Sequence, residues 1–445
     1  MLTFQGQGHA LCDGIVRRDF LRVGALGLGG LTLAQLLRQE AAGAASSRPK
    51  SVIYVVLGGG PSHIDMYDLK PEAPDEYRGP FRPIATRLAG CDICELMPLQ
   101  AQIMDRLALL RGICSVENDH YLSEVYTGLP RSAGKRPAFG SVVSRLAAGA
   151  SSLPPYVSLD EETVDQFEFE KPSYAGSGHA PFRPFGSVLE DMTPVESLDR
   201  LRDRKRLLAG FDEMRRRLDK PNAFDGLDRF QAQALQIITS SKVRDAFDLS
   251  REPKDRLERY GKGKYPHQTV KDIMYDWDAK PFLRALRLVE AGVRVVTLRV
   301  GSWDHHSGPQ SDIFHGLRHL LPLIDQSIHA LVTDLTDRGL EKDVLVVVLG
   351  EFGRTPKISP VGPGREHWAE AGCAVLFGGG LAMGQVIGET DTRAERAKSG
   401  QTTFQNIVAT IYRVLGINPD ATLPDFNGRP QYLLDDPQPI RQLLG

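Results

Sequence analysis

The feature that most constrains the fold is a set of apolar runs of strand length. Residues 51–57, 294–300, 343–349 and 373–377 are rich in Val, Leu and Ile. Runs of this kind are typical of strands that are buried on both faces of a sheet. Gly58-Gly59-Gly60-Pro61 follows the first run and ends it abruptly.

Amphipathic helices alternate with these strands. Residues 314–338 and 403–415 carry apolar side chains at helical spacing and end at Gly339 and Gly416. Strands that alternate with helices predict an α/β fold with a large, mostly parallel sheet flanked by helices. We expect one such domain over residues 48–445. Residues 195–290, rich in Arg, Lys, Asp and Leu, predict a helical insertion.

The first 45 residues predict a targeting segment and are excluded from the fold. Arg17-Arg18 forms a twin-arginine pattern, a weakly apolar core follows, and Ala42-Gly43-Ala44 fits a cleavage site. This order is similar to a Tat signal peptide, so we expect the Tat export machinery as a partner and a periplasmic or secreted protein. The core is too short and too weakly apolar for a stable membrane span.

Net charge and cysteines add two further expectations. The formal net charge of −2 gives no reason to expect a nucleic-acid partner. Cys91 and Cys94 are spaced for a disulfide that an oxidising compartment would allow. Cys114 and Cys373 lie in or beside apolar runs and are expected to be buried thiols.

Polar side chains that suit a metal ion lie next to the apolar runs. They are Asp65, Asp304, His306, Glu351 and His367. In open α/β sheets, ligands bind outside the carboxyl ends of the strands. Mixed carboxylate and imidazole ligation favours Zn²⁺ or Mn²⁺ over Mg²⁺ or Ca²⁺. Each residue alone also has a structural explanation, such as a helix cap, an ion pair or an exposed loop position.

The order of the motifs resembles a known family. It runs Gly-Gly-Pro-Ser-His-Ile-Asp65, Trp-Asp304-His-His306, Gly-Glu351-Phe-Gly-Arg354-Thr-Pro and Gly-Arg365-Glu-His367-Trp. It resembles the secreted bacterial family catalogued as domain of unknown function 1501, which is similar to the alkaline phosphatase–sulfatase superfamily. The resemblance implies a mixed sheet of the alkaline phosphatase type, with Asp65, Asp304, His306, Glu351 and His367 near the metal-ligand positions.

The resemblance is weakest at the nucleophile. Superfamily hydrolases use a Ser, a Thr or a modified Cys, and that position falls near residues 118–120, which read Asn-Asp-His. Ser123 offers a hydroxyl, although its place in a helix favours packing. His120 is instead expected to be a further ligand or a general base for water.

These features predict an exported, metal-dependent hydrolase of phosphate or sulfate esters, with a small-molecule or polysaccharide ester as the substrate. Arg354 or Arg365 would bind the non-bridging oxygens. Direct attack by activated water and a covalent intermediate both stay open. The alternative is a degenerate module of the same fold that binds metal or an anion without hydrolysis.

Overall fold

The computed structural model describes residues 49–146, 153–160, 170–184, 245–270, 272–308 and 312–445. The predicted signal segment and most of the predicted insertion lie outside these ranges. The described residues from 50 to 445 form one compact unit.

A seven-stranded sheet organises the described residues. Its strands, in spatial order, are β14 (Gln385–Ile387), β4 (Ala108–Arg111), β13 (Cys373–Gly378), β10 (Val344–Leu349), β1 (Ser51–Val56), β9 (Val295–Arg299) and β6 (Tyr156–Ser158). Only β13 runs against the others, because its pairings with β10 and β4 are antiparallel and the remaining four pairings are parallel. The predicted α/β class with a mostly parallel, mixed sheet is confirmed.

Short two-stranded pairings join the remaining strands. They are β2 (Pro83–Ala85) with β3 (Asp92–Cys94), β5 (Ile113–Cys114) with β17 (Thr402–Thr403), β7 (Lys264–Pro266) with β8 (Met274–Asp276), β11 (Gly353–Arg354) with β12 (His367–Trp368), β15 (Glu389–Thr390) with β16 (Ala397–Ser399), and β18 (Thr422–Pro424) with β19 (Pro430–Tyr432).

Helices lie on both faces of the sheet. They are α1 (His63–Met66), α2 (Asp75–Arg78), α3 (Pro98–Ala101), α4 (Ser123–Thr127), α5 (Phe139–Leu146), α6 (Lys254–Glu258), α7 (Lys280–Ala291), α8 (Ile313–Asp337), α9 (Phe404–Val414) and α10 (Arg441–Leu444). Single 3-10 turns occur at Met104–Arg106, Arg131–Ala133, Ser173–Ala175, Ser177–His179 and Leu249–Arg251.

Side-chain alternation along β1 divides the core in two. Ile53 and Val55 belong to the cluster that includes buried residues of α7 and α8, whereas Val52, Tyr54 and Val56 belong to the cluster that includes residues of α4, α5 and α9. Successive strand residues point to opposite faces, so a strand covered on both faces needs the continuous apolar run seen in the sequence.

Helix ends follow local signals. Asp312 caps α8 by accepting a hydrogen bond from the Phe314 amide at 2.9 Å. Thr403 and Asn406 form a capping box at the start of α9. These caps satisfy amides that a helix leaves unpaired, which explains why both helices begin within one residue of the predicted position.

The described end of the predicted insertion differs from a purely helical segment. Strands β7 and β8 pair as an antiparallel hairpin, which the polar sequence did not indicate. Helix α7, which crosses the predicted limit of residue 290, contributes Phe282 and Leu286 to the core beside the sheet. The chain therefore rejoins the α/β layer at α7, since that amphipathic face needs an apolar partner.

Two further observations concern cysteines and membranes. Cys91 and Cys94 are buried free thiols, so the disulfide that their spacing would allow is not formed. Among the described helices, none combines the length and apolar character needed to cross a bilayer.

Candidate metal centre

Loops from several strands meet at the carboxyl edge of the sheet. Because β1, β9 and β10 are parallel neighbours, the segments that follow them leave at the same edge. Strand β13 runs the other way, so the segment that precedes it, which contains β12, reaches this edge as well. The topology thus gathers residues that lie about 300 positions apart in the chain.

Four of the gathered side chains form a compact group that could hold a metal ion. One ligand atom from each of His120, Asp304, His306 and His367 lies within 4.8 Å of the others. We call this group the histidine cluster. The sequence had assigned three of its members to a metal, and His120 to catalysis.

Asp304 is at the centre of the histidine cluster. Its Oδ1 atom lies 3.2 Å from Nε2 of His120, 2.6 Å from Nε2 of His306 and 3.5 Å from Nε2 of His367. Arg354 approaches the same oxygen with Nη2 at 2.8 Å. One carboxylate oxygen thus faces three imidazole nitrogens and a guanidinium group.

Glu351 supports His120 from the opposite side of the ring. Its Oε1 atom lies 2.9 Å from Nδ1 of His120 and accepts a hydrogen bond from the Gly59 amide at 2.7 Å. A hydrogen on Nδ1 leaves Nε2 to face Asp304. Carboxylate partners of this kind orient histidine ligands and raise their basicity.

His306 and His367 also have partners at Nδ1. Glu366 Oε2 lies 2.5 Å from Nδ1 of His306. Nδ1 of His367 donates to the Asn118 carbonyl at 3.1 Å, and a carbonyl only accepts, so Nε2 keeps its lone pair. That Nε2 atom is buried and has no hydrogen-bond partner. Sequence reasoning missed Glu366 and Asn118, although Glu366 adjoins His367.

Electrostatics keeps the histidine cluster charged. Burial alone would raise the pKa of Asp304, but hydrogen bonds from His120, His306 and Arg354 hold the pKa of this carboxyl well below its ordinary value. Burial opposes protonation of His120, yet hydrogen bonds to Asp304 and Glu351 raise its pKa to about 9. The carboxylate therefore stays ionised, and without another cation the imidazoles compete to neutralise it.

The donor set fits a divalent cation. Three imidazole nitrogens and one carboxylate oxygen are ligands that Zn²⁺ and its neighbours among the transition metals prefer. Each imidazole carries the outer hydrogen bond that metal-binding histidines usually have. The unpartnered Nε2 of His367 is a buried acceptor that a cation would satisfy.

Asp65 is not part of the histidine cluster. Its carboxylate makes a bidentate ion pair with Arg365, at 2.7 Å from Nε and 3.1 Å from Nη2. Ser62 donates a further hydrogen bond at 2.5 Å. Asp65 is 1% exposed. The pair satisfies both oxygens and holds α1 against the segment before β12.

Neither arginine assigned to substrate binding faces the solvent. The side chains of Arg354 and Arg365 are fully buried. Arg354 donates to the carbonyls of Gly59 and Gly60, the latter at 2.8 Å. Arg365 donates to the carbonyls of Tyr77, Thr355 and Pro356. Both guanidinium groups therefore hold in place, through hydrogen bonds to backbone carbonyls, the loops that carry the site residues.

The region of the expected nucleophile contributes an imidazole instead of a hydroxyl. His120 enters the histidine cluster, whereas Ser123 donates to the Leu129 carbonyl at 2.9 Å from inside α4. Ser115 donates to the Glu117 carbonyl and the Glu124 carboxylate, both at 2.7 Å. These hydroxyl groups are part of the local backbone scaffold.

A cleft of about 970 Å³ opens beside the histidine cluster. His120, Asp304 and Glu351 are among the residues that line it. The Oε2 atom of Glu351 is buried and has no hydrogen-bond partner. A volume of this size accommodates a ligand larger than a simple inorganic anion.

Comparison with solved structures finds distant likenesses. One is the C-terminal periplasmic domain of EcEptC from Escherichia coli in complex with Zn, at 8% identity and a TM-score of 0.38, covering 83% of each chain. Another is the PsFucS1 sulfatase from Pseudoalteromonas sp., at 12% identity and a TM-score of 0.36, covering 92% of this chain and 73% of that one.

A third is the soluble domain of lipooligosaccharide phosphoethanolamine transferase A from Neisseria meningitidis, at 10% identity and a TM-score of 0.35, covering 83% of this chain and 89% of that one. Likenesses at these scores and identities transfer no activity to this chain. A search of curated proteins finds no match. Residues 49–444 match the family described as "Protein of unknown function (DUF1501)", and the chain belongs to that family.

Proposed function

We propose that this protein is a divalent-metal-dependent hydrolase of phosphate or sulfate esters. The convergence of His120, Asp304, His306 and His367 within 4.8 Å carries the proposal. These four residues would hold the cation, with Zn²⁺ or Mn²⁺ preferred. When bound, such a cation supplies Lewis-acid polarisation of an ester oxygen.

The chain's own residues prepare this site in three ways. Asp304 supplies a permanent negative charge, because its pKa is held low. Glu351, Glu366 and the Asn118 carbonyl orient the imidazole rings through Nδ1. Arg354 donates a hydrogen bond to Asp304 and so fixes the position of its carboxylate. Ligands held in place before binding lower the entropic cost of forming the site.

Water is the favoured nucleophile, and Glu351 is the favoured proton acceptor. Oε2 of Glu351 is unpartnered and the residue lines the cleft, so a water molecule there can donate to it. The water oxygen attacks phosphorus or sulfur, and its proton passes to Glu351. The bond to the alcohol oxygen then breaks, and Glu351 passes its proton to that oxygen, so the alcohol leaves neutral and the carboxylate is regenerated. The hydroxyl groups of Ser115 and Ser123 are engaged elsewhere, which disfavours a covalent ester intermediate.

The test uses metal analysis and turnover on the same preparations. Wild type, His367→Ala and His329→Ala are purified, loaded with Zn²⁺ or Mn²⁺ and analysed for bound metal. His329 lies on α8 outside the histidine cluster and is the matched control. We expect about one equivalent of metal in wild type and His329→Ala, and little in His367→Ala. Absence of metal from loaded wild type would refute the ligand assignment.

Turnover is measured on p-nitrophenyl phosphate and p-nitrophenyl sulfate, with and without a chelator. We expect hydrolysis that the chelator abolishes. Glu351→Gln should retain metal but lose about 100-fold or more in kcat, the usual contribution of a general base. Equal kcat for wild type and Glu351→Gln would contradict the role of Glu351.

The alternative is a metal- or anion-binding module of the same fold that lacks hydrolase activity. The engaged hydroxyl groups of residues 115–127 favour it, because no serine or threonine of this described segment faces the histidine cluster as a ready nucleophile. Retained metal without turnover of either ester would support this alternative.

We also propose export through the Tat pathway, on the strength of Arg17-Arg18 and the segment that follows. Replacing both arginines with lysine should leave the full-length precursor in the cytoplasm. Fractionation of cells that produce either form measures this, and unchanged export would contradict the proposal.

A further inference from the structure

The cleft extends from the histidine cluster to a part of the molecule that the proposed chemistry does not use. The hairpin β7–β8, the start of α7 and the end of β9 also contribute to its lining. Tyr265, Tyr275, Trp277, Arg284 and Arg299 are among the lining residues.

The hairpin forms a fixed wall of this cleft. Ser302 donates to the side chain of Gln268, and His305 forms a hydrogen bond with the Pro266 backbone. Trp277 Nε1 donates to Ser327 of α8 at 3.1 Å. Two of these contacts join the hairpin to the loop that carries Asp304, so the wall and the site are held together.

The wall presents aromatic surface to the cleft. The ring centroids of Tyr265 and Tyr275 lie 5.7 Å apart, and those of Tyr265 and Trp277 lie 6.1 Å apart. Tyr275 is 43% exposed. Exposed tyrosines offer a flat apolar face beside a polar hydroxyl, a combination suited to a ring that carries hydroxyl groups.

Among the described residues of the cleft lining, Arg284 is a cation that lacks a counter-ion. Arg299 pairs with Asp160 at 3.1 Å, and Asp276 pairs with Lys264 at 3.3 Å. Asp278 accepts a hydrogen bond from the Lys280 amide at the start of α7. Arg284 has no ion-pair partner among the described residues, and its Nε is buried without a hydrogen bond. A buried donor left unpaired is costly, so an acceptor from a ligand is favoured there.

We propose that Arg284 and the aromatic wall form a second subsite, which binds an acidic sugar ring of the substrate. An ester group would lie at the histidine cluster, while a carboxylate or sulfate elsewhere on the same carbohydrate pairs with Arg284. The substrate class is then an acidic oligosaccharide ester. The ester end of this inference rests on the proposed function, whereas the acidic-sugar subsite can be tested without it.

The experiment measures binding rather than turnover. The probes are the sulfated disaccharide of chondroitin, which carries a carboxylate and a sulfate, and lactose as a neutral disaccharide. Both are titrated calorimetrically into His367→Ala protein that a chelator has stripped of metal, and into that variant with Arg284→Gln, Arg284→Lys or Tyr275→Ala added. Arg441→Gln and Tyr432→Ala, at exposed positions outside the cleft lining, are the matched controls.

We expect the acidic disaccharide to bind more tightly than lactose. Arg284→Gln should weaken its binding about 10-fold or more, the usual size of a lost charge-assisted hydrogen bond. Arg284→Lys should weaken it less, and Tyr275→Ala should weaken both sugars. The control variants should change neither affinity by more than about 2-fold.

Failure of this inference is distinguishable from failure of the hydrolase proposal. Equal affinities for His367→Ala with and without Arg284→Gln, or no binding of the acidic disaccharide at millimolar concentration, would overturn the subsite whether or not any ester is hydrolysed. Melting temperatures identify a variant that misfolds, in which case Arg284→Lys carries the comparison.

Discussion

Asp65 and Asp304 follow neighbouring strands of one sheet, yet their carboxylates differ in exposure and in the groups that they contact. Asp65 comes after β1 and Asp304 after β9, and each carboxylate contacts an arginine. The Asp65 side chain is 1% exposed, and both of its carboxylate oxygens accept hydrogen bonds from Arg365. The Asp304 side chain is 21% exposed and turns one oxygen toward three imidazoles.

A position at the sheet edge is therefore not sufficient to make a carboxylate a metal ligand. A ligand needs a lone pair that the protein leaves available and neighbours of the right chemistry. A bidentate guanidinium removes both conditions, because it satisfies the carboxylate and supplies the compensating charge. Arg354 reaches Asp304 through a single Nη2 and directs other donors to backbone carbonyls.

The largest expected effect separates the two aspartates by stability. Asp65→Asn should lower the unfolding free energy by about 3–5 kcal/mol, because it leaves the buried charge of Arg365 uncompensated. Urea unfolding of metal-free protein measures this, and the folded fraction should still bind metal. A loss below about 1 kcal/mol would mean that the Asp65–Arg365 ion pair does not stabilise the fold.

The converse holds for Asp304→Asn. We expect metal affinity to fall by at least about 100-fold, more than replacement of a typical outer partner. The stability of the metal-free protein should also fall, because the buried Arg354 loses its carboxylate partner, but by less than for Asp65→Asn, since the Asp304 side chain is 21% exposed and meets Arg354 through one nitrogen. Competition with a chelating dye gives the affinity. Unchanged affinity would place the metal elsewhere.

A third carboxylate lies at this edge, that of Asp160 after β6. It differs from the other two in its effect on how folding stability depends on pH. Burial raises its pKa from 3.8 to about 6, although Arg299 opposes the shift. The folded state then holds the proton more tightly than the unfolded state, so the contribution of Asp160 to stability is full below pH 3.8 and lost as pH rises to about 6. Wild-type stability relative to Asp160→Asn should fall across this window, by at most about 3 kcal/mol. Urea unfolding at four pH values tests the sign, and a relative rise would contradict it.

The smallest expected effect concerns a carboxylate one step removed from the histidine cluster. Glu366→Gln should weaken metal binding about 10-fold, because Glu366 orients His306 without contacting the central oxygen. Its side chain is half exposed, so stability should barely change. The same dye competition measures the affinity. A loss as large as that of Asp304→Asn would show that Glu366 is itself a ligand.

Local patterns predicted most of the sheet. Strands β1, β9, β10 and β13 fall within one residue of the apolar runs, since burial on both faces leaves an unmistakable composition. The hairpin β7–β8 escaped prediction because its strands are short and partly exposed, and nothing in their local pattern distinguishes them from a loop.

The residues of the site were predicted better than their partnerships. Asp304, His306 and His367 come together as expected, and His120 joins them. Asp65 and Arg365 do not, because their mutual pairing depends on contacts between segments 300 residues apart. No local pattern tells a carboxylate that meets an arginine from one that meets three histidines.

The α/β class, the strands that end at the site and the types of side chain that follow those strands can be predicted from the amino-acid sequence alone. This is possible because the spacing of apolar residues and the residues at each strand end are local properties of the chain. The three-dimensional contacts are needed to tell which carboxylate faces imidazoles, which buried arginines hold loops together, and which arginine of the cleft has no ion-pair partner among the described residues. Those outcomes depend on the crossing of distant loops at one sheet edge, where each donor is matched to the acceptor that packing brings within reach.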